Sequence, residues 1–329
     1  MSKIGGTQIN LGIGIEATAG TAVASTVFPK WSDFSVQAIA EKSHFTPARG
    51  KRVESSDSMI RRRYSQGQLS VVPNVDIAPY LFGLALGSVS SADSGDASGD
   101  VYAHTITVQN ANASMKSATL IVENGGEVTE RMTNVVANAL NLEVSDDYAK
   151  LTADLIGGFP DTSSLTESYT QETEFAYHQM AVKFGTSLSN AAGNAATPLK
   201  SFNLNINNNV QTDEAFLSGT NTPVAGGFVA GRLSLTGSYS LQFDGTTELN
   251  KYKANTKNAC IVTFTGAGIG TSDFEDIVVN LGKLILTSPP KEYNIDGLII
   301  LNQEFTVEFD ATDNEISVVV TNLEDGTEY

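Results

Sequence analysis

Apolar and polar residues alternate along most of the chain, and this alternation predicts β-strands. In residues 302–310, Phe305, Val307 and Phe309 interleave with polar and acidic residues, so one face is apolar and the other acidic. A period of two is typical of a strand with one buried face. The same alternation occurs in residues 140–144, 202–207 and 233–243. We therefore predict an all-β fold.

Helical signals are confined to two short segments. Residues 76–87 begin with Asp76, carry Pro79 in the first turn and end in Gly87, which predicts a short helix. Residues 247–254 are the second candidate. Each segment follows a strand-like run, so one strand–helix unit is expected to occur twice.

An internal repeat is the next expectation. The apolar sets at 140–144 and 151–155 recur at 305–309 and 316–320, at a common separation of 165 residues, and each pair predicts a β-hairpin. Chance is the alternative explanation, because strand patterns are generic and the identity between the halves is low. We favour a duplication. Its predicted parts are an N-terminal segment (1–30), a first half (31–160), a linker (161–175) and a second half (176–329).

Composition narrows the classes of protein that are possible. A length of 329 residues suggests about two domains, and a single cysteine, Cys260, excludes an internal disulfide framework. The net charge of −17 disfavours wrapping of nucleic acid and binding to anionic membranes. The start lacks a signal-peptide pattern, and no apolar run is long enough to span a membrane. We expect a protein that is made in the cytoplasm and does not enter a membrane.

Charge is distributed unevenly along the chain. Residues 41–63, predicted as a loop, carry seven basic and three acidic residues, a net charge of +4. The basic residues are Lys42, Arg49, Lys51, Arg52, Arg61, Arg62 and Arg63. This loop could dock on an acidic surface of another copy, could be a solvated loop, or could bind nucleic acid, although it lacks an aromatic platform for bases. Residues 88–100 predict a second loop, flexible and acidic.

Candidate chemistry is sparse. The histidines, His44, His104 and His178, are too far apart for a metal motif. Cys260 lies in an apolar strand, and the glycines of residues 266–270 lack the helix and lysine of a phosphate loop. We predict no catalytic residue, metal or cofactor. A hydrolase with a carboxylate pair ranks last, because the acidic residues alternate along strands and no apolar pocket is evident to separate their pKa values.

One segment carries a family resemblance. Residues 12–29, which begin Gly-Ile-Gly-Ile-Glu, continue through Gly20-Thr21 and end in Pro29, resemble the opening G-x-G-x-E-x-x-x-G-T of tail tube (major tail) proteins of long-tailed phages. The resemblance continues through residues 67–87, 201–208 and 284–290 and covers nearly the whole chain.

The resemblance implies a β-sandwich that contributes strands to a ring-shaped barrel, with rings stacked into a hollow tail. Rings in this family are sixfold or pseudo-sixfold, so a chain with two tube-like halves implies a trimeric ring, with a hexamer as the second choice. The basic loop at 41–63 would act as an arm that reaches a neighbouring copy or ring. Other implied partners are a tape-measure protein, a tail terminator and double-stranded DNA that passes through non-specifically. The expected location is the virion tail, after assembly in the host cytoplasm.

Tubes of this family have acidic lumens, which lets DNA slide without sticking. Our candidates for lumen-lining residues are Glu143, Asp154, Glu304, Glu308 and Asp310. Alternatively, these residues face solvent outside the tube, because alternation predicts two faces of each strand and does not show which face lines the lumen. A different class, a carbohydrate-binding or adhesin-like β-sandwich, would need exposed aromatic residues, and Trp31 is the only tryptophan.

Overall fold

The computed structural model describes residues 5–46, 52, 55, 57–109, 115–170, 173–211, 228–242, 246–289, 299–310 and 312–329. The fold is all-β, as predicted. The strands before residue 170 are β1 (Ile9–Glu16), β2 (Trp31–Phe34), β3 (Gln37–Phe45), β4 (Asp57–Val71), β5 (Gly87–Asp93), β6 (Tyr102–Val108), β7 (Ser117–Asn124), β8 (Val128–Val144), β9 (Lys150–Gly157) and β10 (Asp161–Thr162). Those after it are β11 (Met180–Gly185), β12 (Ser201–Asn207), β13 (Ser234–Gln242), β14 (Asn258–Ile269), β15 (Asp273–Leu286), β16 (Ile300–Val307) and β17 (Ile316–Asn322).

Both predicted helices form, and there is a third. They are α1 (Ile77–Leu86), α2 (Leu188–Gly193) and α3 (Thr247–Lys253). Gly87 ends α1 with φ of +96°, a conformation that favours glycine. The start differs in detail from the expected Asp76 cap, because the side chain of Asn74 accepts the N–H groups of Asp76 and Ile77. α2 was not predicted, because its six residues are too few to show a helical period.

Eight strands form one continuous antiparallel sheet, which we call the long sheet. Their order is β3–β4–β9–β8–β12–β13–β16–β15. Four come from the first half of the chain and four from the second. The halves join where β8 pairs with β12, with Glu143 opposite Asn203.

The long strands β8 and β15 each also pair with strands outside the long sheet. The beginning of β8 pairs with β7 and β10, and β7 pairs with β1. The beginning of β15 pairs with β14 and β17, and β14 pairs with β11. The β5–β6 hairpin extends this second group, because β6 pairs with β17.

The two halves repeat one strand arrangement. The strand pairings within the first half recur within the second. The equivalent strands, in chain order, are β1 and β11, β3 and β12, β4 and β13, β7 and β14, β8 and β15, β9 and β16, and β10 and β17. α1 follows β4, and α3 follows β13. The β5–β6 hairpin is inserted in the first half only.

One predicted hairpin is wrong. Residues 140–155 form the β8–β9 hairpin as expected, but β16 and β17 pair with successive parts of β15 and not with each other. In the strand arrangement β9 corresponds to β16, so the constant separation of 165 residues is also wrong. The reason is the β5–β6 insertion, which changes the separation between equivalent strands along the chain.

Two predicted loops contain strands. Residues 41–45 and 57–63 lie in β3 and β4, and residues 88–93 lie in β5. Most residues of these strand segments are exposed, which explains the polar composition that suggested loops. The predicted N-terminal segment also belongs to the body of the first half, since β1 pairs with β7 along its whole length.

The main hydrophobic core runs through both halves, and a smaller cluster of Tyr64, Val136 and Ile156 lies apart from it. The main core contains Leu69, Leu142, Leu204 and Phe305, all at most 2% exposed. α1 is buried at every position, which explains why its sequence is apolar on all sides. By contrast, α3 has no buried residue. The two halves therefore fold around one shared interior.

Candidate assembly surfaces

The long sheet has one polar face, because directly opposite residues point to the same side of a sheet. One row of such residues crosses five strands in the order Lys150, Glu143, Asn203, Ser238 and Glu304. We call this side of the long sheet the polar face. The other side carries the hydrophobic core.

Three predicted lumen residues lie on the polar face. Glu143 and Glu304 share the row just described, and Asp154 lies opposite Gln68 and four residues along β9 from Lys150. Glu143 and Glu304 are exposed and Asp154 is partly exposed. The sheet therefore brings together residues that are far apart in the sequence.

The other two predicted lumen residues lie beyond the end of β16. Glu308 forms an ion pair with Lys283 at 3.3 Å. Asp310 is a turn residue, because its carboxylate accepts the N–H groups of Thr312 and Asp313, and these hydrogen bonds lower its pKa. Phe309, which was expected to face the core, is 73% exposed. The expected alternation thus ends with the strand at Val307.

Most of the polar face is uncharged. Asn203 donates a hydrogen bond to Asn141 at 3.0 Å, and the hydroxyls of Ser201 and Ser240 lie 2.6 Å apart. These side chains satisfy one another across neighbouring strands, so the surface is polar without holding many free charges.

The β3–β4 hairpin extends beyond the body of the protein. β4 pairs with β9 only from Ser65 onwards, whereas its pairing with β3 continues outwards to Asp57. We call residues 41–45 and 57–63 the arm. Met59 on the arm is 66% exposed. The arm therefore presents apolar as well as basic side chains to solvent.

The predicted arm residues differ in their surroundings. Lys42, Arg52 and Arg61 are exposed, and Arg61 lies at a register shift in the β3–β4 ladder. The guanidinium of Arg63 lies 5.4 Å from the centre of the Phe159 ring. Arg49 and Lys51 lie outside the described residues.

Arg62 is held within the hairpin. Its side chain is 6% exposed and donates to the Glu41 carboxylate at 2.7 Å, and its guanidinium lies 4.6 Å from the centre of the Tyr64 ring. The hydrogen bond from Arg62 lowers the pKa of Glu41. Burial opposes the charged form of Arg62, but Glu41 raises the pKa of Arg62 above its usual value. This pair stabilises the base of the arm.

The N-terminal motif has a structural role that the sequence analysis did not assign. The buried Glu16 carboxylate accepts the hydroxyls of Ser117 and Thr119 and the N–H groups of Gly20 and Asn134, at 2.7 to 2.9 Å. It thereby ties β1 to β7, to β8 and to the following loop. The sequence contained a signal for this role, because an acidic residue at the end of an apolar strand requires hydrogen-bond partners.

The glycines of the same motif allow close packing. A Cβ atom on Gly14 would lie 2.2 Å from the carbonyl oxygen of Ala24, and one on Gly12 would lie 2.3 Å from the Ser25 hydroxyl. The loop after β1 folds back directly over these two positions. The motif G-x-G-x-E therefore fixes the conformation of residues 12–27.

The remaining candidate chemistry is structural in character. Cys260 is fully buried, and burial raises its pKa. Trp31 packs on the core and donates to the Ile9 carbonyl. Within the described ranges, no cluster of three or more His, Cys, Asp or Glu side chains has the geometry of a metal site. Over the same ranges, no helix is long and apolar enough to cross a membrane.

Comparison with known families identifies a match over most of the chain. A family model for the phage tail tube protein matches residues 6–309, which is nearly the whole chain. No curated protein matched the sequence. The matched range includes the Gly12–Glu16 motif, the arm and the long sheet, and it agrees with the resemblance in the N-terminal motif. The chain therefore belongs to the phage tail tube protein family.

Proposed function

We propose that this structural protein of the virion tail assembles into rings of three copies, which stack into the tube that conducts the genome. The observation that carries the proposal is the long sheet, in which four strands of one half continue into four strands of the other through the β8–β12 pairing. One chain thus already contains a junction between two equivalent units.

The number of copies follows from the repeat. If each chain supplies two equivalent units, three chains give a pseudo-sixfold ring with 24 strands, eight from each long sheet. Six chains would give a barrel with twice as many strands. Such a barrel would be wider, because barrel diameter grows with strand number. Ring closure also removes the free strand edges that otherwise favour aggregation.

The polar face is the proposed lumen wall. The other face of the long sheet is buried in the core, so the polar face is the side that can line a channel. Glu143, Asp154 and Glu304 give it negative charge among uncharged Asn, Ser and Thr side chains. A wall of this kind releases no counterions from DNA and so attracts it little. The protein acts by assembly and not by catalysis.

The proposal implies three kinds of partner. A tape-measure protein would occupy the lumen during assembly, a tail terminator would bind the last ring, and double-stranded DNA would pass through without sequence preference. The basic arm would contact a neighbouring copy or ring, with exposed Lys42 and Arg61 as the charged contacts.

Electron microscopy of the concentrated, purified chain tests the proposal. Rings or hollow tubes are the expected result, and a monodisperse monomer at all concentrations would contradict it.

The lumen assignment has its own test. The triple variant Glu143→Lys, Asp154→Lys, Glu304→Lys, assembled with short double-stranded DNA, should retain DNA that nuclease cannot digest. The matched control carries Asp100→Lys, Glu127→Lys and Asp146→Lys, three exposed acidic residues outside the long-sheet row. Equal protection in the two variants would place the polar face outside the channel.

A further inference from the structure

Two backbone edges of the long sheet have no strand partner among the described residues. β3 pairs with β4 on one side only. On β15, pairing with β14 stops at Leu284, and the two following residues pair only with β16. The N–H of Thr287 donates to the Glu304 carbonyl, which continues the β15 direction beyond Leu286.

The corresponding edges are paired with each other inside the chain. β12 is the counterpart of β3, and β8 is the counterpart of β15. β12 pairs with β8 over six residues, from Phe202 opposite Val144 to Asn207 opposite Ala139. The chain therefore shows how one unit joins the next.

We propose that residues 38–41 of β3 in one copy pair antiparallel with residues 285–288 of the next copy, and that this pairing repeats the β8–β12 junction between molecules. The inference rests on the proposed function, because it specifies the contact that closes the ring. The partner is a second copy of this chain, because the strand that pairs with β8 within the chain, β12, is the counterpart of β3.

The internal junction fixes the register in two steps. On the β3 side, Gln68 and Ser238 are equivalent because each lies nine residues before the helix that follows its strand, α1 at Ile77 and α3 at Thr247. Their partners in the adjacent strands, Asp154 and Glu304, are therefore equivalent too. Counting back along β4 and β13 makes Tyr64 equivalent to Ser234. Their partners in the adjacent strands are Ile39 and Asn207, which are therefore equivalent.

On the β15 side, Ala139 lies opposite Asp154, and Thr287 is hydrogen-bonded to Glu304. Ala139 and Thr287 are therefore equivalent. Because Asn207 lies opposite Ala139 within the chain, Ile39 lies opposite Thr287 between chains. The same register places Glu41 opposite Ile285.

The side chains suit this register. Ile39 and Glu41 lie on the polar face, as does Ile285, which is opposite Thr306. The other face of β3 carries the small residues Ala38 and Ala40, which are exposed although they are apolar. In the proposed junction they extend the core side of the sheet.

The sequence also limits the length of the junction. Pro289 and Pro290 follow Ser288, and proline has no N–H to donate to a ladder. At the other end Lys42 is charged, which discourages further strand addition. A short pairing with a defined register is expected.

Cysteine cross-linking tests the junction. Directly opposite residues in an antiparallel pair have Cα atoms about 4.5–5.5 Å apart, which is within disulfide range. The test chain carries Ile39→Cys and Thr287→Cys. The native Cys260 is fully buried, so it should not compete. A positive control carries Asn207→Cys and Ala139→Cys, which should form a bond within one chain.

A register control carries Ala38→Cys and Thr287→Cys, because a shift of one residue points the side chain to the opposite face. After mild oxidation, the test chain should give covalently linked trimers on a non-reducing gel, with roughly tenfold more product than the register control.

Tubes without this cross-link would overturn the junction and leave the proposed function intact. Absence of both the tubes and the cross-link would overturn the junction and the proposed function.

Discussion

Glu143 of β8 lies directly opposite Asn203 of β12, and this pair marks the line along which the two halves of the chain join. On the other side of the sheet, Leu142 lies opposite Leu204, and both are at most 2% exposed. The junction is therefore as well packed as the interior of either half. The proposed contact between copies repeats this junction.

The shared core predicts that both halves unfold together. Leu204→Ala removes a fully buried side chain and should lower the free energy of unfolding by about 3 kcal/mol. A single cooperative transition should move to lower urea concentration or temperature, measured by circular dichroism and calorimetry. Asn205→Ser, on the polar face of the same strand, is the control and should change stability little. Two separate transitions, only one of them shifted, would refute a common core.

The Glu16 hydrogen bonds predict a large loss of stability in Glu16→Ala. The variant leaves four donors without their carboxylate, and unsatisfied buried groups cost about 1–3 kcal/mol each before water or rearrangement compensates. Chemical denaturation should show a loss of about 3 kcal/mol. Glu127→Ala, in the exposed turn between β7 and β8, should have almost no effect. Similar stability for the two variants would show that Glu16 does not organise the N-terminal region.

Neighbouring arginines on the arm should have different roles. Arg61→Glu should prevent or weaken tube formation while leaving monomer stability within about 0.5 kcal/mol, since Arg61 is exposed. Arg62→Glu should destabilise the hairpin, because it places a carboxylate beside Glu41. Sedimentation of tubes and thermal unfolding of monomers separate the two effects. Lys257→Glu, another exposed charge reversal, is the control for net charge. Normal assembly of Arg61→Glu would refute its docking role.

The Glu41–Arg62 ion pair predicts a pH dependence with a definite sign. The folded pKa of Glu41 lies below its usual value of 4.5 because Arg62 stabilises the carboxylate. The stabilisation is therefore present above the unfolded pKa and is lost as pH falls through the lower, folded pKa. The stability difference between the native chain and Glu41→Gln should be constant at neutral pH and shrink in acid, as measured by urea unfolding across pH. A difference that grows in acid would contradict the assignment.

Alternation and turn residues were sufficient to predict the all-β fold and the position of α1. They also predicted the β8–β9 hairpin, because its strands are adjacent in the sequence and share a short turn. Local pattern could not show that β17 pairs with β15 and β6 in place of β16, since strand neighbours depend on long-range packing.

The same reasoning applies to the assembly surfaces. Alternation identified Glu143, Asp154 and Glu304 as outward residues, and pairing across strands places them on one face. Alternation did not predict that Glu308 and Asp310 lie beyond the strand, because the strand ends at Val307 and nothing in a period of two marks that end. It could not separate Arg61 from Arg62, because their difference arises from the register shift and from contact with Glu41.

Counting the chains in one ring is the decisive test of the proposed assembly. Cryo-electron microscopy of assembled tubes, at a resolution that distinguishes the two halves, would count them. We expect three chains per ring, with alternating first and second halves around a continuous barrel and Glu143 and Glu304 facing the channel. Six chains per ring, or halves that do not alternate around the barrel, would contradict it.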